Sequence, residues 1–141
     1  MIDMTLVFDT ETIRLMTLFE NLTGVPVKDC IISNDIVYFV VEEGKVAIAI
    51  GRNGSRVRNV EKMIGKTVKL FEYSKDLSNF VKKLIPQANE IRIKNEEKKV
   101  TVEVKVDKKS KALVIGRNGK NIKIIKEILK RNHKVNDLIV R

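Results

Sequence analysis

The tetrapeptide Gly-Arg-Asn-Gly occurs twice in this chain, at residues 51–54 and, 65 positions later, at residues 116–119. Its surroundings repeat in kind: Ala47-Ile48-Ala49-Ile50 precedes the first copy and Ala112-Leu113-Val114-Ile115 the second. After each copy, apolar residues return at helical spacing. Val57, Val60, Met63 and Ile64 follow the first, and Ile122, Ile125, Ile128 and Leu129 lie 65 positions beyond them. This register divides the 141 residues into two copies of one small unit.

The first unit predicts a helix from the caps Asp9 and Thr10 to Leu22, burying Leu15, Leu18, Phe19 and Leu22 and stopped by Gly24 and Pro26. Apolar runs 27–32 and 36–41 around Ser33-Asn34-Asp35 read as a hairpin. A short helix from about Glu43-Gly44 to Ile50, the loop, a helix over 55–64 and a strand over 67–73 complete it. In the second unit Asp76 caps a helix with Leu77, Phe80, Val81 and Leu84 on one face, and Pro86 follows its end. Strands at 90–94 and 100–106 flank a turn at 95–98, and the alternation of Val100, Val102, Val104 and Val106 with polar residues marks a half-buried strand. A helix over 108–115, the loop, a helix over 120–131 and a strand over 135–140 close the unit. The expected domains are residues 1–74 and 75–141, and the absence of a Gly/Ser-rich linker predicts a stiff junction.

Charge is divided unevenly. The net charge is +10, yet residues 1–74 hold 9 Lys and Arg against 10 Asp and Glu, while residues 75–141 hold 19 against 8. A lysine-rich thermophile surface explains many solvated lysines, but not an excess confined to one half; a polyanionic partner does. One cysteine and one histidine exclude a structural zinc site, so no metal or cofactor is expected. Cys30, in an apolar run, reads as a small buried hydrophobe, and His133 as an exposed residue near a helix end. No apolar stretch is long enough to span a bilayer and the N-terminus lacks a signal-peptide pattern. The expectation is a soluble, cytoplasmic protein with no membrane contact.

A Gly-x-x-Gly turn between helices has a structural use, ending one helix and starting the next. Neither use requires an arginine or one fixed tetrapeptide, so the two identical copies point to a ligand. Gly51, Gly54, Gly116 and Gly119 let a phosphodiester backbone approach closely, and the following helix offers its N–H groups and dipole. Arg52 and Arg117 add a delocalised cation, and Asn53 and Asn118 suit a tight or left-handed turn. Ser55, Arg56 and Arg58 after the first loop, and Lys120, Asn121 and Lys123 after the second, stand close enough to join the contact.

Residues 114–122, Val-Ile-Gly-Arg-Asn-Gly-Lys-Asn-Ile, resemble the signature of the KH domain, and residues 48–57 resemble it with Val for the last Ile. The element order resembles the type II, prokaryotic arrangement, since the helix and strand that the eukaryotic type places last come first. The implied fold class is α/β (α+β), with two tandem domains, each a three-stranded sheet packed on one side by helices. The pair is similar to that of NusA-type transcription elongation and termination factors, in the short archaeal form without the polymerase-binding and OB-fold domains of the bacterial one. The resemblance implies a single-stranded RNA gripped across each GxxG loop, about four nucleotides per domain, with bases in an aliphatic groove beside it. All seven Phe and Tyr residues occur by Phe80, which disfavours an aromatic stacking platform in the second unit.

The expectation is a non-enzymatic protein that works as a monomer, and the resemblance implies RNA polymerase or the elongation complex as a further partner. A KH protein of ribosome assembly or translation is the alternative. Catalysis finds no support: the nearest P-loop-like strings, at Gly65-Lys66 and Gly119-Lys120, have valine at positions 60 and 114, where that motif needs glycine. Lys120, Lys123, Lys126, Lys130 and Arg131 form a basic stripe on the last helix, opposite its isoleucines, so the second unit is expected to supply more of the electrostatic affinity.

Overall fold

The computed structural model describes residues 8–141. The chain divides into two compact units, Met1–Lys75 and Asp76–Arg141. In the first, α1 (Thr10–Thr23) is followed by the strands β1 (Val27–Ser33) and β2 (Ile36–Val41), the helices α2 (Val46–Ile50) and α3 (Ser55–Ile64), and β3 (Thr67–Glu72). The second repeats the order with α4 (Leu77–Leu84), β4 (Ala88–Glu96), β5 (Lys99–Val106), α5 (Lys108–Ile115), α6 (Lys120–His133) and β6 (Asp137–Val140). Each sheet has three strands, with the hairpin antiparallel and the last strand parallel to the second. A parallel return requires a crossover, and the helix–loop–helix supplies it.

The core of the first unit lies between the sheet and its helices. Val37, Phe39 and Val41 of β2 meet Phe19 of α1, Ala49 of α2 and Val60 of α3, with the Phe19 and Phe39 rings 4.4 Å apart. Cys30 is buried in this cluster. In the second unit Val102, Val104 and Val106 of β5 are buried, with Phe80, Val81 and Leu84 of α4 and Ile125, Ile128 and Leu129 of α6. Half-buried His133 lies against Phe80, with ring centroids 5.2 Å apart.

Several details depart from the sequence expectations. Helix α1 turns Thr12, Phe19 and Thr23 inward and leaves Leu22 36% exposed. Thr23 can be buried because its hydroxyl donates to the Phe19 carbonyl and accepts from the Val25 N–H. Met63, expected in the core, is 65% exposed, whereas its counterpart Ile128 is fully buried. Helix α2 starts at Val46 rather than near Glu43, because Gly44 takes φ 79 and interrupts any helix there. The second hairpin turns on Glu97 and Lys98 alone, both at positive φ (47 and 71), so its strands extend beyond the expected four-residue turn. Turns with two positive-φ residues favour Asn and Gly, and Glu-Lys gave no such signal. Helix α6 runs on to His133, closed by Lys134 in the left-handed region, and β6 starts correspondingly late at Asp137.

Two contrasts test this packing. Ile128→Ala should cost about 2–5 kcal/mol of stability, while Met63→Ala stays within about 0.5 kcal/mol; urea unfolding of each variant measures both. Asp9 caps α1 by accepting from the Thr12 N–H at 2.7 Å, and this bond, with a second from the Thr12 hydroxyl, holds its carboxyl below the usual range. A folded pKa depressed in this way adds stability above the unfolded value and loses it as pH falls through the folded one. Asp9→Ala should therefore lower the melting temperature at pH 7, with the gap closing below about pH 4.

Candidate nucleic-acid interface

Both Gly-Arg-Asn-Gly loops adopt one backbone shape. Gly51 has φ 77 and ψ 175, and Gly116 has φ 76 and ψ 170, a region essentially reserved for glycine. Asn53 (φ 56, ψ 28) and Asn118 (φ 57, ψ 26) are left-handed, as are Gly54 and Gly119. Asparagine tolerates this region better than other side chains, which accounts for Asn-Gly as the second half of the motif. The Gly54 N–H donates to the Gly51 carbonyl at 3.1 Å, and the Gly119 N–H to that of Gly116 at the same distance.

The first glycine is also required by space. A Cβ on Gly51 would lie 2.7 Å from Arg56 Cγ and 2.9 Å from its backbone nitrogen; on Gly116 it would lie 2.9 Å from both the Cβ and the backbone nitrogen of Asn121. Such a Cβ would collide with the start of the following helix. At the second glycine the nearest atoms are farther: Arg58 Nη1 at 3.3 Å for Gly54 and Ile122 Cγ2 at 3.8 Å for Gly119.

Helices α1 and α4 begin with aspartate caps that accept backbone N–H groups, whereas α3 and α6 begin at Gly54 and Gly119 without a side-chain cap. No acidic residue stands in their first turns. The N–H groups and positive dipole ends of these two helices are thus left for an anion. Arg52, Asn53, Arg117 and Asn118 are exposed at the loop tips, and neither arginine has an ion-pair partner among the described residues. Ser55 and Lys123 are exposed nearby, Lys120 is half-buried, and the Arg58 guanidinium lies beside Gly54.

Two expected contact residues have other partners. Arg56 Nη1 donates to the carbonyls of Thr23, at 3.1 Å, and Ile48, at 3.2 Å. Asn121 Nδ2 donates to the Leu113 carbonyl at 3.0 Å. The basic stripe on α6 is thinner than expected, with Arg131 half-buried and Lys126 paired with Asp137 at 3.4 Å. Two features escaped the sequence reading. Lys108, Lys109 and Lys111 are exposed on α5, where a basic run by itself is indistinguishable from a solvated face. Ile48, Ile50 and Leu113 stand exposed beside the loops; for the first two this follows from the short helix α2 being apolar all round.

A KH-domain model matches residues 14–85, and the KH-domain model of KhpA/KhpB matches residues 74–135. The chain belongs to the KH-domain family. It is 35% identical over 133 residues to the "Probable transcription termination protein NusA" of Methanocaldococcus jannaschii, covering 93% of this chain and 73% of that one. The protein of the same name from Thermoplasma acidophilum is 33% identical over 137 residues, 94% of each chain. The crystal structure of APE1850 superposes with a TM-score of 0.79 at 31% identity, covering 95% of this chain and all of that one. The chain is thus a NusA-like protein, with two type II KH domains in tandem. The type II order is visible in each KH domain, whose first helix precedes the hairpin and whose last strand lies parallel to the middle one.

The geometry of the two glycines separates their roles. Gly119→Ala should cost about 1–2 kcal/mol, the penalty of a left-handed backbone. Gly116→Ala should cost about 3 kcal/mol or more, because backbone strain and the collision with Asn121 act together. Denaturant titrations of the two variants give this ordering directly.

Proposed function

We propose that this tandem KH protein binds single-stranded RNA and acts in transcription elongation and termination. The observation that carries the reading is the paired loop geometry: two loops of one unusual shape, each with an unpaired arginine at its tip and an uncapped helix N-terminus behind it. The names of the relatives, transcription termination proteins, supply the process. In this reading the glycines at 51, 54, 116 and 119 admit the sugar–phosphate backbone. Arg52, Asn53, Ser55 and Arg58 grip it in the first domain, and Arg117, Asn118, Lys120 and Lys123 in the second. Bases lie against exposed Ile48 and Ile50, or against Leu113, since an aliphatic wall offers van der Waals contact without a stacking ring. The protein acts by binding, and its further partner is RNA polymerase or the elongation complex.

The charge imbalance gives the domains unequal shares. Phosphate neutralisation releases counterions, so affinity without sequence preference follows the number of cations along the strand. The second domain has more of them, with Lys108, Lys109, Lys111, Lys123 and Lys130 exposed around or beyond its loop. Replacing Arg117 and Asn118 with Asp should weaken binding of a single-stranded RNA by about tenfold or more, and by more than the same change at Arg52 and Asn53. Filter-binding titrations test this ordering, and equal or reversed losses reject it. Copurification with RNA polymerase rather than with ribosomal particles is the expected result for the transcriptional role.

A further inference from the structure

We infer that Arg56 and Asn121 are positioning residues: each holds its Gly-Arg-Asn-Gly loop in the binding shape by tying the helix after the loop to the helix before it, and neither grips phosphate. The inference rests on the RNA-binding reading for its consequence in affinity, but its structural half does not. Position 56 and position 121 are related by the same 65-residue interval as the loops, and so are their acceptors, Ile48 and Leu113. One residue is a cation and the other is neutral. What the two domains share at this position is therefore the tie and not the charge.

The need for a tie follows from the loop itself. Helix α2 ends at Ile50 and α5 at Ile115, and the extended ψ of Gly51 and Gly116 takes the chain out of the helix. Carbonyls in the last turn of a helix lose their intrahelical donors where the helix stops. Those of Ile48 and Leu113 are in that turn, and the Arg56 guanidinium and the Asn121 amide donate to them from the first turn of the following helix. The stems of the same two side chains lie over the first glycine, within 3.0 Å of where its Cβ would be. Position 56 or 121 thus closes the two arms of the loop from one side, and the glycine permits the closure from the other.

Arg56 does more than Asn121. Its Nη1 also reaches the carbonyl of Thr23, the last residue of α1, where a cation is favoured by the negative end of the helix dipole. The first loop is therefore anchored to three helices and the second, through Asn121, to two. In the first domain this rigidity offsets the sparser charge.

The experiment compares Arg56→Ala, Arg56→Asn, Asn121→Ala and Arg52→Ala in the full chain. Binding of a fluorescein-labelled, mixed-sequence single-stranded RNA 20-mer is measured from roughly 50 to 200 mM salt, where each lost phosphate contact makes the log–log slope shallower by about 0.7. Arg52→Ala should show that change. Arg56→Ala and Asn121→Ala should each lose affinity by roughly three- to tenfold, the scale of one hydrogen bond, with the slope unchanged. Arg56→Asn should recover most of the loss, because asparagine makes the equivalent tie in the second domain. If Arg56→Ala and Arg56→Asn lose alike and both flatten the slope, Arg56 is a phosphate contact and the inference is wrong; unchanged affinity in Arg56→Ala overturns it equally. A wild-type protein that binds no single-stranded RNA rejects the functional reading instead. The tie is then judged on the free protein: backbone amide shifts at residues 52–55 should move in Arg56→Ala and return in Arg56→Asn, and a loop left unmoved removes the proposal.

Discussion

The close approach of two helix ends over a single glycine governs the rest of each domain. At Gly51 and Gly116 there is no room for a methyl group, because the first turn of the next helix already occupies that space. The backbone there also takes a conformation that a side chain would oppose. Only with the helices so near can a side chain from one reach a carbonyl of the other, as Arg56 and Asn121 do. The same closeness turns the N-terminus of α3 or α6 toward the loop tip, where Arg52 or Arg117 stands exposed. The crossover that returns the chain to a parallel third strand thus also leaves an uncapped helix N-terminus and an exposed arginine at the loop.

This arrangement explains why so much was legible in the sequence. A glycine that cannot be replaced, an asparagine in the left-handed region and the apolar face of the next helix must all appear at fixed offsets, and their recurrence 65 residues later exposed the unit. Strand β5 was legible because its valines alternate, and helices α1 and α4 because aspartates cap them. The misreadings have physical causes of their own. Helical spacing defines a face but not its centre, so Leu22 is expected inward, whereas Thr23, whose hydroxyl bonds a carbonyl of its own helix, is buried instead. Met63 fits the buried spacing of Ile128, yet nothing in a linear register tells which end of the apolar arc the core covers. At Arg56 the charge is visible in the sequence, whereas the two carbonyls to which it donates are not.

Within the repeat, the two domains diverge where the shared constraint is silent. The central strands β2 and β5 occupy equivalent places, but β2 is buried on both faces, with Tyr38 lying parallel to Phe71 at 6.1 Å, while β5 sets Lys105 outward and neutralises Glu103 with Lys94 and Arg141. The burial of Tyr38 pushes its phenol pKa up, as loss of solvent does for any group that is charged when deprotonated. One sheet is built of aromatic and aliphatic surface and the other of alternating charge, on the same topology.

The helix before the loop diverges too. Helix α2 has five residues, all apolar, and begins only after Gly44, whereas α5 has eight and opens with lysines at positions 108, 109 and 111. The longer helix adds cations without altering the loop, whose dihedral angles stay within a few degrees of those in the first domain. A loop of fixed geometry can therefore be combined with different amounts of nonspecific attraction. Cations strengthen binding to every strand alike and weaken as salt rises, while groove contacts and a preformed loop change little with salt. A protein that must stay near RNA and yet discriminate within it benefits from separating the two. Here the excess charge lies in one domain and the extra tie to a third helix in the other.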